Sequence, residues 1–440
     1  MERSAADISE AVAPWVDGLP RGAGRDHRGV LTLGGVAADT IAAAYGTPAL
    51  TIDTDVLDDN VARISRTAAE VGADVAYAGK ALLFVALARR LAATSLFLDV
   101  CSMGELLTAE RAAFPASRLV LHGCGKTDAE LLAAARGRVG CVVVDGAEEL
   151  ERLTRIDAQQ PVRVLLRVNS GIVASTHASV RTGGENSKFG FALSEAQGAI
   201  RRVIEAAHLR FAGVHTHLGS QIYDSEPILG GLAAVLDVAA QAAALGVPAE
   251  AVVVGGGFGV AARPGASDLD VAATLRILAA SLAAGCRQRG MATPRLGIEP
   301  GRAIVGSAGT SVYRVVAAKR HGSRRFLIVD GGVGDNPRPA LYQGYHHPIL
   351  ASRESAAPLE TATICGRSCE NDELVVAPLP ADTHAGDLLA LCTAGGYTYS
   401  MASNYNRFPR PAVVFAGGGE HRAVVRRERD DATLRNDVDE

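Results

Sequence analysis

Lysine is scarce in this chain: of its 44 basic Lys and Arg residues, the lysines are Lys80, Lys126, Lys188 and Lys319 alone. Where lysine does occur, its one chemical distinction from arginine counts, because surroundings can deprotonate it and free it to attack a carbonyl. The seven cysteines include no Cys-x-x-Cys pair and are odd in number. That argues against a disulfide framework or a zinc site, and fits a reduced cytoplasm. No excess of one charge is present: the net charge is −4 and the pI about 6.3, which gives no basis for a nucleic-acid or anionic-membrane surface. "MERSAADISEAVAPWVDGLP" (1–20) lacks a basic stretch followed by an apolar one, so no signal peptide is expected. The longest apolar segment, "LAAVLDVAAQAAALGV" (232–247), is interrupted by Asp and Gln and reads as a buried helix, not a membrane span.

At 440 residues and 48% hydrophobic, the chain can build two or three domains around a sizeable core. After an initial strand at 48–53, eight short β-prone runs follow: 74–79, 96–101, 118–123, 140–145, 162–168, 211–217, 251–257 and 295–300. Stretches with helical apolar spacing, such as 129–137 and 193–208, separate most of them. Strand and helix alternating eight times predicts a (β/α)₈ barrel over 48–309. From about 310 to 425 the pattern changes to short strands broken by Gly and Pro, which predicts an antiparallel β domain. The N-terminal segment 1–47, with "GVLTLGG", is expected to pair with that domain, and the charged 426–440 is expected to fray.

In such a barrel the chemistry sits at the C-terminal ends of the strands, where the loops converge. Those ends carry Lys80, Cys101-Ser102, His122, Asp145, Arg167, His215 and His217, Gly255-Gly256-Gly257, and Glu299 with Arg302. Taken singly, each has a structural explanation: a surface lysine, a hydrogen-bonded core histidine, a tight glycine turn. Taken together, they put an amine nucleophile, an imidazole, a glycine loop, a carboxylate and guanidiniums at one mouth. Backbone N–H groups of a glycine loop suit a phosphate. A lysine, a phosphate cradle and a carboxylate to keep a pyridine nitrogen protonated are the groups that pyridoxal 5'-phosphate requires.

The runs "YAGKA" (77–81), "HTHLGSQI" (215–222), "GGGFG" (255–259), "EPGRAIV" (299–305), "DGGVGDNPRPALY" (330–342), "CEND" (369–372) and "GGYTYSMASNYN" (395–406) resemble the diaminopimelate decarboxylase family. This is a barrel-type pyridoxal-phosphate family alongside the ornithine and arginine decarboxylases, and the resemblance spans about 30–425. It implies an alanine-racemase-type barrel followed by a β domain. It also implies decarboxylation of meso-2,6-diaminopimelate to L-lysine and CO₂, the last step of lysine biosynthesis. By this resemblance Lys80 is the Schiff-base lysine and Cys369 the general acid. His217, Ser220, Gly256, Gly257, Glu299, Pro300, Gly301, Arg302 and Tyr397 match cofactor-binding positions. Arg302, Arg338, Tyr342, Glu370 and Tyr397 match substrate-binding positions. The resemblance further implies a homodimer whose Cys-Glu pair crosses to the neighbouring site, with no metal, nucleic acid or membrane partner.

Three segments depart from the family's usual text: Asn371-Asp372-Glu373 after the Cys-Glu pair, "HGCGK" (122–126) and "GGY" (395–397). They put substrate identity in question more than reaction type. The nearest alternative is a sister decarboxylase acting on another amino acid with a distal anion, or on a carrier-linked or natural-product intermediate. Arg302 and Arg338 argue against a distal ammonium. A non-enzymatic cofactor-binding relative would be expected to lose the lysine, the thiol or the glycine loop, and all are present.

Overall fold

The structure, a computed structural model, describes residues 14–16, 18–172 and 187–438. The first thirteen residues of the N-terminal segment and the last two of the charged tail lie outside the described residues.

All eight barrel strands occur where the β-prone runs were read. They are Asp74–Ala78, Phe97–Val100, Leu119–Leu121, Cys141–Val144, Val162–Asn169, Leu209–His215, Ala251–Val253 and Arg295–Ile298. Each pairs in parallel with the next, and the last returns to the first with Gly297 opposite Asp74. The strands alternate in face, as a period of two demands. Val142 and Val144 join the large core under the helices, while Cys141 and Val143 join a small cluster with Leu165 and Ala212. Seven of the strands are followed by a helix of eight residues or more. The eighth place in the ring goes to Thr54–Val71, which precedes the first strand and packs on Val271–Gln288. Asp53 starts that helix by accepting from the N–H groups of Asp55 and Val56. Most of the apolar 232–247 segment, up to Ala244, lies in helix Glu226–Ala244, which is long and apolar enough to cross a membrane. It buries Leu232, Val235, Leu236 and Ala239 against neighbouring elements of the ring.

The second domain is built on one long strand, Gly309–His321, paired antiparallel with Arg324–Val329, Leu388–Leu391 and Ala49–Asp53. Two pairings in its sheet run parallel: Arg324–Val329 with Leu359–Cys365, and Ala49–Asp53 with Ala412–Gly417. Strand Ala49–Asp53, read as the opening of the barrel segment, therefore belongs to the β-domain sheet. All five of its residues are buried, as expected of a strand between two neighbours. Strand Glu373–Pro380 was not anticipated, because its two prolines disguise an edge position.

The described part of 1–47 forms its own three-stranded sheet of Ala23–Arg25, Leu31–Leu33 and Val36–Ala37. It reaches the β domain by packing Leu31, Val36 and Ile41 with Val312 and Val414, and by an N–H bond from Leu31 to the Ala351 carbonyl at 2.9 Å. The tail does not simply fray. Arg427 donates to the Thr47 and Pro48 carbonyls at 2.9 and 3.2 Å, and the Glu428 carboxylate accepts from Arg410 and Asn404.

Candidate active site

Strand ends and β-domain loops enclose a cavity of about 720 Å³ whose lining includes Lys80, His217, Ser220, Glu299, Arg302 and Arg338. Lys80 sits in a single 3₁₀ turn, Gly79–Ala81, immediately after the first barrel strand, and its side chain is exposed to this cavity. The β domain reaches that turn directly. Tyr397 N–H and Ser400 Oγ both donate to the Ala81 carbonyl, at 2.8 and 3.1 Å. Tyr397 holds φ at +62°, a costly conformation for a tyrosine that the surrounding contacts enforce.

The glycine loop is shaped by close approach. Gly257 has φ of +96°, and a Cβ there would lie 2.2 Å from the Gly219 carbonyl oxygen. At Gly256 a Cβ would lie 2.0 Å from the Glu299 carbonyl oxygen. The loop therefore packs between the segment ending in Ser220 and the strand end bearing Glu299, which only glycine permits. Gly256 N–H donates to His217 Nδ1 at 3.1 Å, so that nitrogen carries no proton. Burial, reinforced by Lys80, holds the His217 pKa well below its ordinary value, so the ring is neutral.

Glu299 stands between two imidazoles. His215 Nε2 lies 3.1 Å from the carboxylate, and His122 Nε2 lies 3.3 Å from it and 3.3 Å from Asp99. Burial alone would raise Glu299, but His215 and His122 outweigh it and keep the group well below the usual carboxylate range. Burial opposes a charge on His122, yet Glu299 and Asp99 lift it to about 9. Burial pushes Asp99 up, and the nearby Glu299 charge adds to that. At neutral pH the arrangement is an imidazolium beside an ionised Glu299, a carboxylate suited to holding a pyridinium N–H. His122, His215 and Glu299 also bring one ligand atom each within 4.8 Å of one another. A cation there would compete with the imidazolium for the same carboxylate.

At the other pole are two guanidiniums. Arg302 and Arg338 are 8% and 6% exposed, and each leaves its Nε without a hydrogen-bond partner. Among the described residues no carboxylate pairs with either. Arg302 lies 4.6 Å from the Tyr397 ring centre, and Arg338 Nη1 lies 3.4 Å from His346 Nε2. Burial, then the charge of Arg302, lowers Arg338 to about 9. Arg167, by contrast, is matched by Asp145 at 3.2 Å.

Gly257, Gly301, Tyr342 and Tyr397 line the cavity as well, whereas Gly256 and Pro300 lie just behind that surface. Cys369 and Glu370 do not line it. They sit exposed in the loop between Leu359–Cys365 and Glu373–Pro380, where Cys369 N–H donates to Asn406 Oδ1 and the Tyr405 hydroxyl to Glu370. Sequence reading placed His122 at the mouth without assigning it a role, and passed over Asp99 and His346. For Asp99 the signal was a carboxylate near the end of an apolar strand. His346 carried none, since nothing in "YHHPIL" shows which histidine faces inward.

Lys80 in the cavity, a backbone cradle with Ser220 beside it, and an ionised buried Glu299 fit pyridoxal phosphate; the fold and site define a barrel-type pyridoxal-dependent enzyme. Residues 57–306 match the family model for the pyridoxal-binding domain of pyridoxal-dependent decarboxylases. The chain is 42% identical over 427 residues to a diaminopimelate decarboxylase of Actinosynnema pretiosum subsp. auranticum, covering 94% of each. It is 38% identical to that of Bacillus subtilis (strain 168), covering 92% of this chain and 94% of the relative. Among solved structures, a diaminopimelate decarboxylase from Helicobacter pylori complexed with L-lysine superposes with a TM-score of 0.84 at 27% identity, covering 90% of this chain and 98% of the other. The chain belongs to the diaminopimelate decarboxylase family of pyridoxal-dependent decarboxylases.

Proposed function

We propose that this chain decarboxylates meso-2,6-diaminopimelate to L-lysine and CO₂, the last step of lysine biosynthesis. The observation that carries the substrate choice is the pair Arg302 and Arg338, two buried cations with no carboxylate among the described residues to balance them. A substrate with a distal carboxylate completes that pair through charge-assisted hydrogen bonds, and a distal ammonium would meet repulsion of several kcal/mol. Bound pyridoxal phosphate supplies the electron-accepting ring that makes loss of the α-carboxylate possible.

The residues around it have separable tasks. Lys80 provides the amine that anchors the cofactor, and Ser220 with the glycine-loop N–H groups holds its phosphate. Glu299 would keep its pyridine nitrogen protonated, and the neutral His217 would help hold the ring. Arg302, Arg338 and Tyr342 would orient the distal carboxylate, and Tyr397 would contact both cofactor and substrate. The remaining need is a proton donor for Cα, for which Cys369 is the candidate, with Glu370 contacting the substrate beside it. Both are exposed and absent from their own cavity lining. This supports a homodimer in which each subunit's Cys369 loop completes the other's site. The seven cysteines, all free thiols, fit a cytoplasmic enzyme.

The test is CO₂ release by purified protein with pyridoxal phosphate, on meso-diaminopimelate, its LL isomer, ornithine, lysine, arginine and glutamate. Lysine formed from the meso isomer alone is the expected result. Cofactor binding without turnover of any of the six would overturn the substrate and point to a modified or carrier-linked amino acid.

A further inference from the structure

Arg338 raises a question that the ring of cavity residues leaves open: what holds a buried guanidinium in one orientation when no carboxylate among the described residues grips it? His346 is fully buried at 0% exposure, just before the strand Pro348–Leu350. Its Nδ1 lies 3.0 Å from the Cys392 carbonyl oxygen. A carbonyl can only accept, so Nδ1 carries the proton and Nε2 presents a lone pair. That lone pair faces Arg338 Nη1 at 3.4 Å. The ring is neutral, since burial and the neighbouring Arg338 charge bring its pKa down to about 3.

Resting on the substrate reading above, we propose that His346 is a positioning residue for the distal carboxylate. It fixes one Arg338 N–H through a neutral acceptor and leaves the other donors of the guanidinium to the substrate. The chemistry of that acceptor matters. A carboxylate in its place would hold Arg338 more strongly but would also cancel the charge that recruits the substrate anion. An apolar side chain would keep the charge and lose the orientation. An imidazole locked by Cys392 in a single tautomer does both jobs: it orients Arg338 without neutralising it.

The experiment compares His346→Asn with His346→Gln in the holoenzyme. Asn keeps a short donor near the Cys392 carbonyl and withdraws the acceptor from Arg338, whereas Gln extends an acceptor to about the reach of Nε2. Measured for each are kcat and KM with meso-diaminopimelate, the dissociation constant of pimelate, a seven-carbon dicarboxylate without amines, and inhibition by 1,5-diaminopentane, which carries no carboxylate. For His346→Asn the expectation is KM and the pimelate constant up about tenfold, kcat falling less, and 1,5-diaminopentane affinity changed less than twofold. His346→Gln recovers most of the loss. Unchanged KM in His346→Asn, or equal losses for pimelate and 1,5-diaminopentane, would overturn the positioning role. A wild-type protein that neither turns over diaminopimelate nor binds pimelate would instead refute the substrate reading itself.

Discussion

Replacing Arg338 by Met removes one of the two unbalanced cations and keeps the apolar stem. The ordinary guanidinium value of 12.5 drops to about 9 at this position through burial and the facing Arg302. Guanidinium does not release its proton at neutral pH, so the drop reads as the cost of holding the charge there. At about 1.4 kcal/mol per tenfold that cost is up to roughly 5 kcal/mol. It is present at every pH below about 9, and eases only as pH rises through that value. Against the gain stands His346, whose Nε2 would lose its donor, at about 1–3 kcal/mol. The net is a variant more stable than wild type by up to roughly 2–4 kcal/mol, hence a melting temperature raised by several degrees in the ligand-free protein. Activity moves the other way. Losing a buried charge-assisted contact to the substrate raises KM by about 30-fold or more. Differential scanning calorimetry in the presence and absence of pimelate, together with steady-state kinetics, reads both effects. Pimelate should stabilise wild type and leave Arg338→Met unmoved. A variant that melts lower than wild type while keeping its KM would refute the account of Arg338 as a strained anion receptor.

Two further outcomes follow from the site. Lys80→Ala and Cys369→Ser should each be inactive alone, yet mixing and refolding them together should restore roughly a quarter of wild-type activity, since half the dimers then carry one intact site; no recovery would sink the shared-site dimer. His122, lifted to about 9, lends stability that is complete below its ordinary 6.5 and is lost as pH rises through 9. The melting temperature of wild type should therefore fall between about pH 7 and 10 more steeply than that of His122→Leu, and parallel curves would count against the Glu299–His122 pairing.

Much of this was legible without coordinates, for identifiable reasons. Parallel barrel strands are buried on both faces, so they appear as continuous apolar runs, and all eight were found within a few residues of their bounds. Active residues at strand ends follow from the same geometry, which is why Lys80, His217 and Glu299 could be singled out before their contacts were known. Less legible was the membership of Ala49–Asp53. An apolar strand before a helix reads alike whether its partners lie in the barrel or 260 residues later at Gly309–His321. Strand Glu373–Pro380 was hidden by its prolines, and the anchoring of Arg427 and Glu428 by a composition that resembles a free tail.

The sequence by itself determined the elements, their order and the chemical inventory, because periodicity, glycine and a rare lysine act locally. Tertiary structure alone decided which charges meet. His122 and His215 converge on Glu299 from different strand ends, Asp99 meets His122 from a third, and these separations of 3.1–3.3 Å set which group is ionised. It likewise left Arg302 and Arg338 without a counter-charge among the described residues, and put His346 rather than His347 behind Arg338. Ionisation and orientation depend on burial and on distances of a few ångströms between residues far apart in the chain, and no local pattern encodes either.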